Sequence, residues 1–166
     1  QVDELEDLAR ASQSPLLGRL RIGVIPTVAP YLLPAVISTL MQRYPQLDLR
    51  PREAVTQKLI ADLLEGRLDT AIVALPVSEP ALTEVALFEE DFVLVRPLAD
   101  AAMPVPDAQG LREMRLLLLE EGHCFRDQAI AVCKMPPSPS GEIMEGSSLS
   151  TLVQMVGAGI GVTLIP

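Results

Sequence analysis

Two cysteines nine positions apart, Cys124 and Cys133, are the residues of this sequence best suited to chemistry. They lie in the run Glu120-Glu121-Gly122-His123-Cys124-Phe125-Arg126-Asp127-Gln128-Ala129-Ile130-Ala131-Val132-Cys133. A strand pattern ends at Glu120 and a helical pattern starts after Gly122, which puts Cys124 in the first turn of a helix. Unpaired backbone N–H groups and the positive end of the macrodipole lie there, and both stabilise a thiolate. His123 and Arg126 add donors or positive charge close by. Such surroundings make a cysteine nucleophilic and oxidisable, first to a sulfenic acid and then, with a second thiol, to a disulfide.

The spacing constrains that second step. In an intact helix nine residues rise about 13.5 Å and turn through about 900°, so the two sulfurs point to opposite sides. A disulfide needs Cα atoms within about 7 Å. The pair therefore bonds only if the helix between them unravels. A helix of this length is marginal alone and depends on packing. The Pro136–Gly141 stretch that follows cannot continue it and supplies slack. The plainer alternative stays open. Cys133 follows Ala129, Ile130, Ala131 and Val132 and is accounted for as a small apolar core residue. A lone His123 is accounted for as a local hydrogen-bonder.

The elements that must position these thiols alternate between strand and helix. Strand patterns occur at Leu20–Ile25, Leu47–Arg52, Asp69–Leu75, Thr83–Leu87, Phe92–Pro97, Leu116–Glu120, Glu142–Glu145 and Val162–Ile165. Helical patterns occupy Tyr31–Tyr44, with Leu32, Leu33, Val36, Ile37, Leu40 and Met41 on one side, then Thr56–Gly66, His123–Cys133 and Leu149–Ala158. Asp69–Leu75, mostly small and β-branched, reads as a strand buried on both faces. Leu98–Gly110, with two prolines and two aspartates, reads as a loop. The alternation predicts an α/β chain of two lobes, each a mostly parallel sheet flanked by helices. The division is 1–18 as a helix tail and turn, 19–96 as the first lobe and 97–166 as the second. Ligands of open α/β folds bind at the carboxyl ends of strands.

Composition narrows the class. The chain has 166 residues, 49% of them apolar and 3% aromatic, so its core must be aliphatic. No apolar run reaches the roughly 18 residues of a membrane span. No leader pattern opens it, and the expected location is the cytoplasm. A net charge of −9 argues against DNA binding by this segment, since phosphates demand Lys and Arg. Gln1 at one end, and Pro166 straight after a strand pattern at the other, suggest a piece of a longer chain. No metal-ligand spacing and no cofactor motif stand out.

The segment Gly122-His123-Cys124-Phe125-Arg126-Asp127-Gln128-Ala129, with Cys133 after it, closely resembles the sensing motif of the peroxide-responsive LysR-type transcriptional regulators. Gly23-Val24-Ile25-Pro26-Thr27-Val28-Ala29-Pro30-Tyr31-Leu32-Leu33-Pro34 resembles the first strand and helix of their regulatory domain. Glu53-Ala54-Val55-Thr56 resembles the end of its second strand. Ser147–Gly161 is similar to a stretch seen widely in LysR-type effector domains. The resemblance covers roughly residues 15–166. It implies a type 2 periplasmic-binding-protein-like fold and a hydrogen peroxide sensor, not an enzyme. Cys124 would be oxidised by peroxide and captured by Cys133. Thr27, Thr56, His123, Arg126 and Asp127 match family positions around the peroxide pocket, with Thr27 offering a hydroxyl across the cleft. It also implies a homodimer or homotetramer that acts on DNA and with RNA polymerase. The family's winged helix-turn-helix, and a final strand and helix carrying a pocket arginine, have no counterpart here.

Residue by residue, plainer readings compete. Thr27 also reads as an N-cap or turn residue, Thr56 as the N-cap of Gln57–Leu64, and Arg126 with Asp127 as a solvated pair. Two other functions compete as well. One is the effector domain of an ordinary LysR-type regulator, indifferent to Cys124→Ser. The other is a thiol peroxidase, against which stands the lack of Cys-x-x-Cys and Thr-x-x-Cys patterns.

Overall fold

Apolar strand segments followed by amphipathic helices produce parallel pairing where the crossover is a helix. That is the pattern in the computed structural model, which describes residues 18–134 and 144–166. The expected helix tail ahead of residue 18 and the loop at Pro136–Gly141 lie outside the described residues. The chain forms two compact units, Gln1–Glu84 and Val85–Pro166.

In the first unit, β1 (Gly18–Val24) leads into α1 (Ala29–Arg43), β2 (Leu47–Glu53), α2 (Thr56–Leu64) and β3 (Thr70–Ile72). The sheet order is β2-β1-β3, all parallel, with Val24 opposite both Glu53 and Ile72. Ile22, Val24, Leu59 and Leu68 are buried. Gly23 allows α2 its close approach, because a Cβ there would meet Leu59 Cδ2 at 2.6 Å. Gly66 follows α2 at φ +68, the left-handed stop that its position suggested. Asp62 is fully enclosed and ion-paired with Arg52 (2.8 Å), Lys58 (2.9 Å) and Arg67 (2.6 Å). The Lys58 hydrogen bond above all, with Arg67 and Arg52, holds its carboxyl below the usual range despite burial.

The second unit contains β4 (Val93–Val95), a short 3-10 turn (Leu98–Asp100), α3 (Ala108–Glu113), β5 (Leu117–Leu119), α4 (Cys124–Val132), β6 (Met144–Gly146), α5 (Leu149–Gly157) and β7 (Thr163–Ile165). β5 pairs with β6 in parallel, and β4 with β7 antiparallel. A parallel bridge from Leu116 to Val162 joins the two pairs. Leu117, Leu118 and Leu119 are buried to a residue, each worth about 2 kcal/mol of transfer free energy. Leu152 and Val156 of α5, with Phe125, Ala129, Ile130 and Cys133, close over them. Phe92 stacks on Phe125 with ring centroids 5.1 Å apart.

Several expectations are corrected. The units divide at Glu84, not at 96, because β4 takes its partner from β7 in the second unit. Thr83–Leu87 is not a strand: it has no ladder partner among the described residues. There the Glu84 carboxylate accepts from the N–H groups of Val77 and Ser78 instead. The strand expected at Asp69–Leu75 is only Thr70–Ile72, at the sheet edge, with Thr70 exposed rather than buried. Leu98–Gly110 is not all loop. Asp107 caps α3 by accepting from Gly110 N at 2.8 Å.

Candidate thiol site on the second unit

Gly122 turns the chain from β5 into α4 at φ +95, a conformation that disfavours any side chain. His123 is the N-cap, in extended conformation, and its carbonyl accepts from Arg126 N at 3.0 Å. Its imidazole is buried and makes no cap hydrogen bond. Cys124 is therefore the first residue of the helix, as the sequence predicts, and is partly exposed. Cys133 is the C-cap at the other end, 0% exposed. Both thiols are free. Burial pushes the Cys133 thiol up from its ordinary value, so it stays protonated at neutral pH.

Phe125, Ala129, Ile130 and Cys133 form one buried face of α4. Cys124, two and a half turns from Cys133 by helical arithmetic, lies off that face. The thiols are thus separated by the ordered helix and by the core it packs on. The helix itself is short. It has nine residues and no side-chain cap at its N-terminus. Lys134 beyond its C-cap is left-handed at φ 51, a strained conformation for a residue with a Cβ.

Arg126 is not half of a solvated pair. It is buried, and its Nη1 donates to Leu119 O at 2.8 Å and to Glu145 Oε1 at 2.7 Å. Asp127 is exposed on the same turn. Glu145 was missed by the sequence reading, since nothing local marks a residue on β6 as the partner of one on α4. The remaining expected site residues belong to the first unit. Thr27 is buried in the turn after β1; the N-cap of α1 is Val28. Thr56 is not an N-cap either. Val55 holds that place, and Thr56 opens α2 with its hydroxyl enclosed and without a partner among the described residues. Ala54 N donates to Val24 O at 3.3 Å, so the loops bearing Thr27 and Thr56 leave the sheet together. Thr27, Thr56 and Cys124 thus each follow the carboxyl end of a parallel strand, where ligand-binding residues of open α/β folds collect. Among the described residues no group of three His, Cys, Asp or Glu is arranged to hold a metal ion.

The chain is thus an α/β protein of two units, each containing parallel strands linked by helices, with its candidate residues just past strand ends. Residues 13–166 match the family described as the LysR substrate binding domain, and the chain belongs to that family. The "Probable hydrogen peroxide-inducible genes activator" of Streptomyces viridosporus is 47% identical over 170 residues, spanning 100% of this chain and 54% of that protein. The "DNA-binding transcriptional dual regulator OxyR" of Escherichia coli K12 is 40% identical over 171 residues, 100% of this chain and 55% of that one. The chain thus spans about half the length of the curated relatives it matches. Among solved structures, a hydrogen peroxide-bound Cys-to-Ser variant of Corynebacterium glutamicum OxyR superposes with a TM-score of 0.87 at 35% identity. It covers 99% of this chain and 53% of that one. The reduced OxyR regulatory domain of Pseudomonas aeruginosa gives 0.79 at 37% identity, with 92% and 74% covered. Within its family the chain takes its place with the OxyR regulatory domains, and its fold is their type 2 periplasmic-binding-protein-like fold.

Proposed function

We propose that this chain is the hydrogen peroxide-sensing regulatory domain of a LysR-type transcriptional regulator. The observation that carries the reading is the placement of two free thiols at opposite ends of one short helix, the first partly exposed and the second in the core. The Cys124 thiolate attacks one peroxide oxygen, the O–O bond breaks, and hydroxide leaves; sulfur is oxidised to sulfenic acid and peroxide is reduced. The Cys133 thiol then attacks the Cys124 sulfur, a disulfide forms, and the second oxygen leaves as water. Cys133, protonated and enclosed, is unsuited to the first step and takes the second only once α4 opens. Thiol exchange with the cytosolic pool reverses the bond.

Thr27, Thr56, His123, Arg126 and Asp127 are the residues assigned to the peroxide pocket. Thr27 and Thr56 are proposed from their match to family positions, and on the second unit His123, the N-cap beside Cys124, is the donor for peroxide and for the departing hydroxide. Support for Thr56 comes from its enclosed, unpartnered hydroxyl. Arg126 and Asp127 frame the thiol from its own helical turn. The whole regulator works in the cytoplasm as a homodimer or homotetramer. It contacts DNA through a winged helix-turn-helix segment outside this chain, and RNA polymerase once oxidised. The −9 charge supports assigning DNA contact elsewhere.

Mass spectrometry after stoichiometric peroxide tests the reading. The expected product is a Cys124–Cys133 bond within one chain. Cys124→Ser abolishes it, and Cys133→Ser accumulates a sulfenic acid at Cys124. Free thiols at both positions, or bonds only between chains, would overturn it.

A further inference from the structure

The side chain of Arg126 is only 9% exposed. A guanidinium so enclosed is costly unless its charge is answered. The Leu119 carbonyl satisfies a donor but does not neutralise the charge; the Glu145 carboxylate does both. The two acceptors lie on neighbouring strands, where Leu118 pairs with Glu145 and Leu119 with Gly146. One nitrogen therefore ties the first turn of α4 to both β5 and β6. This turn has no side-chain cap, and Arg126 stands two residues from Cys124.

We propose that Glu145 is the positioning residue for Arg126, holding the first turn of α4 folded and so setting how readily Cys124 and Cys133 couple. This rests on the thiol-switch reading above. Opening α4 carries Arg126 away from Leu119 and Glu145, so their attraction belongs to the reduced state alone. Every increment of that attraction favours the thiols over the disulfide. Glu145 is itself 42% exposed, which screens the pair and limits its worth. A charged hydrogen bond discounted in this way is worth about tenfold in an equilibrium constant.

Two measurements on the full chain test the proposal. The first uses the reduced protein with Cys124→Ser and follows alkylation of Cys133 by N-ethylmaleimide. Cys133 is 0% exposed, so its labelling reports opening of α4. Glu145→Gln is expected to speed labelling about tenfold, Glu145→Asp to restore most of the protection, and Glu121→Gln, an exposed charge control, to change nothing. The second equilibrates the two native thiols with reduced and oxidised glutathione. Glu145→Gln is expected to shift the equilibrium about tenfold toward the disulfide, which is about 30 mV for this two-electron couple. Unchanged labelling in Glu145→Gln, or failure of Asp to rescue it, overturns the proposal. An unmoved potential overturns it too. Absence of any disulfide in the wild type sinks the thiol-switch reading instead, and labelling alone then judges the hold of Glu145 on α4.

Discussion

Replacing each cysteine in turn by serine separates a partly exposed thiol at a helix start from one enclosed in a core. Cys133 is 0% exposed among Leu117, Ala129, Ile130 and their neighbours. Serine there puts a hydroxyl into apolar surroundings, at about 1–3 kcal/mol. The Ala129 carbonyl, which already accepts from Cys133 N at 3.0 Å, offers the new hydroxyl a partial partner. That brings the estimate to about 1.5–2 kcal/mol. For a unit the size of Val85–Pro166, each kcal/mol moves the midpoint by about 4–8 °C, so Cys133→Ser should melt about 6–16 °C lower. Cys124 is partly exposed at the first helical position, where serine is tolerated, and Cys124→Ser should stay within about 0.5 kcal/mol of wild type. The assay is thermal and urea unfolding under excess reductant, with the urea slope unchanged. Equal midpoints for the two variants would refute the reasoning. Cys133 would then not be buried in the reduced protein, and withdrawing it would cost oxidation nothing.

Two further outcomes follow from the packing and the charges. A methyl group at Gly161 would overlap the Arg115 carbonyl oxygen, which accepts from Val162 N beside the bridge to Leu116. Gly161→Ala should therefore destabilise the second unit by about 2 kcal/mol in urea unfolding; a neutral result would mean that this backbone approach is not maintained. Asp69 is held below its ordinary value of 3.8, chiefly by the Arg21 side-chain hydrogen bond. A lowered carboxyl stabilises the fold above the unfolded value and ceases to do so as pH falls through the folded one. The midpoint gap between wild type and Asp69→Asn should thus be full above about pH 5 and close toward pH 2, and a gap independent of pH would contradict this.

Much of the fold was legible because period and punctuation are local properties. The stop at Gly66 and the turn at Gly122 occupy their observed places for that reason. Strand extents were less legible. Asp69–Leu75 and Thr83–Leu87 have strand composition, but a ladder needs a partner, and partners come from distant sequence. Phe92–Pro97 was assigned to the wrong unit for the same reason. β4 lies closer in sequence to the first unit, yet its hydrogen bonds go to β7.

At the site, the sequence by itself determined the separation of the two thiols. Nine residues of helix fix both a rise and a half-turn, whatever surrounds them. It also placed Cys124 at a helix start, because a glycine after a strand and before an apolar period allows little else. Only tertiary structure decided that Cys133 is sealed from water, that Arg126 is buried rather than solvated, and that Glu145 meets it from β6. Burial and ion pairing depend on which surfaces the sheet brings together, and that is settled by long-range packing rather than by the order of residues along one helix.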